Sequence, residues 1–297
     1  MKMQRRTFLK TGAAAAALGA VFPRGEAAAQ TATGGFKTKL KKSLYYSMLP
    51  GSFSVEERFA LARRVGFEGV EVPTFEDTAE LAGVKAAAAK TGLRIHSIMN
   101  QRHWSFPLSS ADQAVVKKSI EGLEISLRNA KELGAEVVLL VPAVVNADTS
   151  YRDAWTRSQK AIRSVLPLAK ELNVIIAVEN VWNKFLLSPL EFSRYVDEFA
   201  SPHLKAYFDV GNIVLYGIPQ DWIRTLGKRI VRVHVKGFDE KKRDFVGLCD
   251  GTIDWPVVRR GFESIGYSGW VNAELTGGDE AYLTGVSQCM DKIFRGE

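Results

Sequence analysis

The chain has 297 residues, 46% hydrophobic and 25% charged, a balance that supplies a full apolar core and excludes disorder as the main state. Two cysteines, Cys249 and Cys289, exclude a disulfide-dense scaffold, and no apolar run reaches the roughly 20 residues of a membrane-spanning helix. The formal charge of +7 overstates any case for nucleic acid: residues 1–30 carry five basic side chains against Glu26, so the remainder is only +3, without a clustered basic face.

The chain opens on Gln4-Arg5-Arg6-Thr7-Phe8-Leu9-Lys10, continues through an Ala-rich, weakly apolar stretch to Phe22, and reaches small residues at Ala27-Ala28-Ala29. A basic start, a short apolar middle and an Ala-x-Ala end predict a signal peptide over residues 1–29. The paired arginines with Thr-Phe-Leu-Lys resemble the twin-arginine export signal of bacteria. That resemblance implies the twin-arginine machinery as a partner and a periplasmic or otherwise exported destination. It also implies export in a folded state, a common reason being a cofactor loaded beforehand. Residues 30–42 read as a polar lead-in. No cysteine lies near the cleavage region, which argues against a lipoprotein, and the spacing of Cys249 and Cys289 leaves open whether they bond.

From Ser43 on, short β-rich runs alternate with amphipathic segments. Strands are predicted at Leu44–Met48, Gly69–Pro73, Arg94–Met99, Val137–Val141, Val174–Glu179, Lys205–Asp209, Val231–Lys236 and Trp270–Leu275. Helical patterns include Val55–Arg64, Ala111–Leu133, Tyr151–Leu172 and Leu190–Phe199. Helix-ending glycines (Gly66, Gly92, Gly134, Gly266) announce several of the strands. Such alternation implies parallel pairing, and eight units in about 255 residues match the α/β class as a single (β/α)8 TIM barrel spanning residues 43–297. An open doubly wound sheet would bring a Gly-rich phosphate loop after the first strand; Met48-Leu49-Pro50-Gly51-Ser52 is not one.

Chemistry in such a barrel sits where strands end on the C-terminal face. The last four predicted strands end in order on Glu179, Asp209, His234 and Glu274, each after a run of mostly apolar residues. Buried carboxylates are costly unless paired or bound to a cation. Three of them with an imidazole at one barrel mouth point to a divalent ion, Mn2+ first, with Mg2+, Co2+ and Zn2+ as other fits to an oxygen-rich donor set.

These stretches resemble the xylose isomerase-like barrel superfamily, in particular its sugar (phosphate) isomerase/epimerase branch, over Ser43 to Phe294. Gly66-Phe67-Glu68-Gly69-Val70-Glu71, Val178-Glu179-Asn180-Val181-Trp182-Asn183 and Phe208-Asp209-Val210-Gly211-Asn212 carry the likeness. Arg232-Val233-His234-Val235-Lys236 and Gly251-Thr252-Ile253-Asp254-Trp255 extend it. The resemblance implies that Glu179, Asp209, His234 and Glu274 bind one metal and that Glu179 and Glu274 are the acid/base pair. The family often carries a histidine where this chain has Asn212, and an arginine after the seventh-strand histidine for which Arg243 is a loose counterpart. It also implies self-association, with no residue here arguing for an interface.

On this reading the ion stabilises the enediolate formed when a proton leaves the carbon beside a ketone, and the carboxylates remove and return the proton. Lys236 falls on the same face of its strand as His234, placed to bind a substrate oxygen or stabilise developing negative charge. Glu71 and His96 fall at inward strand-end positions as supports or substrate contacts. Trp182 and Asn183 suggest a stacking and hydrogen-bonding wall for a sugar, and Asn212 a hydroxyl contact. The expected function is a metal-dependent isomerase or epimerase of a ketose or keto-sugar. The alternative is a keto-glycoside lyase or inosose-type dehydratase using the same groups; a non-catalytic exported sugar-binding protein ranks third. Export favours a free sugar over a sugar phosphate, for which the amides of Gly277-Gly278 are the candidate cradle.

Overall fold

A computed structural model of the chain describes residues 39–295; the expected signal peptide and most of the lead-in lie outside them. The first half runs β1 (Lys41–Tyr45), α1 (Val55–Arg64), β2 (Gly69–Pro73), α2 (Thr78–Thr91), β3 (Arg94–Met99), α3 (Gln113–Leu133), β4 (Val137–Leu140) and α4 (Tyr151–Leu172). The second half runs β5 (Ile175–Glu179), α5 (Pro189–Asp197), β6 (Leu204–Asp209), α6 (Val210–Ile213), α7 (Pro219–Leu226) and β7 (Ile230–Val235). A hairpin of β8 (Gly237–Asp239) and β9 (Asp244–Val246) follows, then α8 (Trp255–Ser264), β10 (Trp270–Ala273) and α9 (Glu280–Phe294).

Eight strands close into a barrel in the ring order β1-β10-β7-β6-β5-β4-β3-β2, and every neighbouring pair is parallel. The helices between successive barrel strands form the crossovers that return the chain to the same end of the barrel, and α9 follows the last strand. Capping sets the helix limits. Ser54 and Glu57 form a capping box on α1, and Gly92 and Gly134 take left-handed conformations that end α2 and α3. Strand residues alternate between two surroundings: Val70, Ile176, Phe208 and Val233 join the core beneath the helices, whereas Val137, Leu139, Ala177 and Tyr207 form a separate buried cluster on the inner face.

The first strand differs from expectation. It occupies Lys41–Tyr45 rather than Leu44–Met48, and Tyr46–Met48 is a single 3-10 turn. The lysines that made this stretch look like a lead-in have partners. Buried Lys42 donates to Ser287 Oγ at 2.8 Å and pairs with Asp291 of α9, and the Lys41 ammonium lies 5.2 Å from the Trp270 ring centre. The cysteine question is also answered. Cys249 and Cys289 are disulfide-bonded, tying the loop after β9 to α9. Among the described residues no helix is long and apolar enough to cross a membrane.

A candidate metal centre at the barrel mouth

Glu179 and Asp209 are the last residues of β5 and β6, His234 is next to last in β7, and Glu274 follows β10 by one position. In the ladder Asp209 pairs with His234 and His234 with Asn272, so the ligand atoms of the four side chains converge to within 4.8 Å of one another. Asp209 is held from behind. Its backbone amide donates to Asn180 Oδ1 at 3.0 Å, and its Oδ1 caps the Asn212 amide at 2.8 Å. The Asn212 side-chain amide donates back to the Asn180 carbonyl at 2.9 Å, which locks the two strand ends together. Gly211 is required there, because a Cβ at that position would collide with the Lys236 side chain crossing over it.

His234 is fully buried, with Nδ1 2.8 Å from Glu179 Oε1 and 3.4 Å from Glu274 Oε2. Its other nitrogen, Nε2, lies 2.9 Å from Glu71 Oε1. Lys236 Nζ sits 2.9 Å from Asp209 Oδ2 and is hydrogen-bonded to Glu274. These contacts push the titrating groups apart. Burial raises the Glu179 carboxyl to about 7 against the pull of His234. Burial acts on Glu274 in the same sense, but the Lys236 and His234 charges overcome it and bring that carboxyl down to about 2. Asp209 is raised by burial despite Lys236. Burial disfavours the His234 imidazolium, yet Glu71, Glu274 and Glu179 together raise it well above the ordinary histidine range.

Four carboxylates therefore share two basic groups: Glu71 and Glu179 contact His234, and Asp209 and Glu274 contact Lys236. That excess of buried negative charge, with three oxygen donors and one imidazole converging and no thiolate among them, fits a divalent cation. Glu179, Asp209, His234 and Glu274 are the residues that could hold it.

Above the cluster opens a cavity of about 540 Å³ lined by Tyr45, Lys236, Phe245, Val246, Glu274 and Tyr282. Trp182 stacks on Phe245 of the hairpin with ring centres 4.6 Å apart, and its indole N–H donates to the Asn212 carbonyl at 2.9 Å. Lys236 Nζ lies 5.1 Å from the other ring of this pair, Phe245.

Other candidates, expected as supports or substrate contacts, are engaged by neighbouring groups of the protein. Asn183 is buried, its amide donating to the Ala143 carbonyl at 2.7 Å and its Oδ1 accepting from the Phe185 amide at 3.1 Å. His96 stacks on Trp270 at 4.7 Å, and burial followed by the Arg232 charge holds its imidazole well below the usual range. Glu71 is buried under His234 with both oxygens engaged, one by His234 and one by the Tyr207 hydroxyl at 2.7 Å. Arg243 is an exposed residue between β8 and β9, and the Gly278 amide already donates to the Met48 carbonyl. Sequence reading missed Asn180, Tyr207 and Phe245. Asn180 directly follows a ligand and was legible as such; the other two act through distant strands or an irregular hairpin and carry no local signal.

The model of the xylose isomerase-like TIM barrel family matches residues 59–292, and that of the twin-arginine translocation signal matches residues 2–22. An L-ribulose-5-phosphate 3-epimerase of Salmonella paratyphi A is 27% identical over 245 residues, covering 78% of this chain and 84% of the relative. The crystal structure of D-allulose 3-epimerase from Methylomonas sp. superposes with a TM-score of 0.71 at 17% identity, over 88% of this chain and 99% of that one. The 3-keto-D-glucoside 4-epimerase of E. coli superposes at 0.72 with 14% identity, over 86% and 99%. At these identities the superpositions establish the fold, and the family match covers most of the chain. The chain belongs to the xylose isomerase-like TIM barrel family.

Proposed function

We propose that this protein is a metal-dependent isomerase of the epimerase type, acting on a ketose or keto-sugar through an enediolate. The observation that carries the reading is the pair Glu179 and Glu274. Glu179 ends β5 and Glu274 directly follows β10, three places apart in the ring of eight, and their oxygens converge on one centre. An epimerase needs a proton taken from one face of a carbon and returned to the other. Two carboxyls delivered to one centre from separate strands suit an acid and a base.

A divalent ion, Mn2+ by preference, held by Glu179, Asp209, His234 and Glu274 would stabilise the negative charge that develops on the substrate oxygens. On this reading Glu274, paired with Lys236, would accept the carbon-bound proton and Glu179 would supply one. Lys236 adds a fixed positive charge beside the reacting oxygens, and the Trp182–Phe245 stack forms an apolar wall at the mouth.

The twin-arginine signal match supports export to the periplasm, and the Cys249–Cys289 disulfide suits an oxidising compartment. Engagement of the Gly278 amide by Met48 leaves that cradle less able to take a phosphate, which favours a free sugar.

The test is incubation of the Mn2+-loaded protein with ketoses and keto-glycosides in deuterium oxide, reading deuterium at the carbon beside the ketone. Glu179→Gln should lower product formation by about 10²–10⁴-fold while deuterium exchange through Glu274 persists. Turnover unchanged in Glu179→Gln contradicts the acid/base assignment. An unsaturated, ultraviolet-absorbing product would instead identify a lyase.

A further inference from the structure

We propose that Glu71 and Tyr207 form a brace beneath the metal centre that fixes His234 in the one tautomer and ring orientation a metal requires, making both positioning residues. The proposal rests on the metal reading above and adds to it two side chains that bind neither metal nor substrate.

The contacts form a single line. The Tyr207 hydroxyl donates to Glu71 Oε2 at 2.7 Å, and Glu71 Oε1 lies 2.9 Å from His234 Nε2. A carboxylate only accepts, so the Tyr207 hydroxyl and His234 Nε2 both donate to Glu71; a cation that takes the place of the proton Nδ1 shares with Glu179 leaves the one remaining ring proton on Nε2. The lone pair is left on Nδ1, the nitrogen that faces Glu179, Glu274 and Asp209. Ring rotation is opposed by the Tyr207 ring, packed at 56° to the imidazole with centres 4.4 Å apart. All three side chains are fully buried, so water does not compete for these bonds.

The three residues come from β2, β6 and β7, elements brought together only by barrel closure. A buried carboxylate is a poor way to stabilise a barrel interior where Val137, Leu139 and Ala177 form an apolar cluster. Its geometry suits the outer partner of a metal-binding histidine, whose loss typically weakens metal affinity 10–100-fold.

The test measures Mn2+ affinity of metal-free protein by calorimetry, beside thermal unfolding of the same samples. Glu71→Leu should bind Mn2+ about 10–100-fold more weakly. Glu71→Gln, whose amide oxygen can still accept from Nε2–H while its NH2 turns to the tyrosine oxygen, should recover most of that loss. Tyr207→Phe should show a smaller loss. A folded Glu71→Leu protein with wild-type Mn2+ affinity overturns the brace and leaves the metal reading standing. A wild-type protein that binds no divalent ion overturns both. Should Glu71→Leu fail to fold, nitrogen-15 NMR of the Zn2+-loaded wild type decides. The Nε2–H tautomer of His234 supports the brace, and the Nδ1–H tautomer overturns it.

Discussion

The two halves of the barrel wall do different work. At the mouth, β5, β6, β7 and β10 deliver Glu179, Asp209, His234 and Glu274, while β1 to β4 end on Tyr45, Pro73, Met99 and Leu140. Tyr45 is the one titrating group among these last four, and burial pushes its phenol up to about 12, so it stays neutral. Glu71 is the exception on that side, and it is spent on His234 rather than on the open mouth. At the mouth, buried charge is therefore concentrated where a cation can offset it, and the facing strand ends are left to packing. Substitutions in the two halves should accordingly separate activity from stability.

The largest effect is expected on the charged side. Glu179→Gln should lower turnover by about 10²–10⁴-fold with little change in unfolding temperature, measured by product formation and thermal scans. The converse experiment is Leu139→Ala on the inner face of β4. It should cost about 2–5 kcal/mol of stability by urea unfolding while the folded fraction keeps its turnover. Equal losses of activity per folded molecule in the two variants would break the division.

A third effect comes from His103, buried in the loop after β3 where its Nδ1 accepts from the Val141 amide at 3.3 Å, and whose imidazole burial drives down to about 3. Its folded value lies below the ordinary histidine value of about 6.5, so the unfolded chain binds the extra proton first. The stability it lends is complete above pH 6.5 and is lost progressively as pH falls toward 3. Between pH 6.5 and 5 the loss is about 2 kcal/mol. His103→Phe should flatten that slope in urea midpoints, and an unchanged slope would remove His103 from the account. The smallest effect is expected at the rim. Trp182→Ala should raise KM a few-fold at unchanged kcat, the size of one lost aromatic contact of about 1 kcal/mol.

Much of this was legible in the sequence because it is local. Periodicity and caps place α1 and α4 at the residues expected, and charged residues closing apolar runs mark the strand ends that converge. Period-two alternation also puts Lys236 on the face of His234, where the structure brings it to Asp209 and Glu274. What stayed hidden depends on closure of the ring. Lys41 and Lys42 read as solvated lead-in until Trp270 and α9 are seen to cover them. Glu71 and Tyr207 meet across 136 positions of sequence, and Cys249 and Cys289 across 40, distances over which no spacing rule operates. Asn183 and Asn212 looked like hydroxyl contacts because nothing local reveals that neighbouring carbonyls already engage their amides.

The most direct test of the central claim is divalent-metal content by elemental analysis after purification without added metal, followed by Mn2+ titration of the emptied protein, for wild type, His234→Ala and Glu274→Ala. The four-ligand centre predicts about one ion per chain in the wild type and loss of that ion in both variants. A wild type that neither carries nor takes up a divalent ion, or variants that retain the full complement, would contradict it.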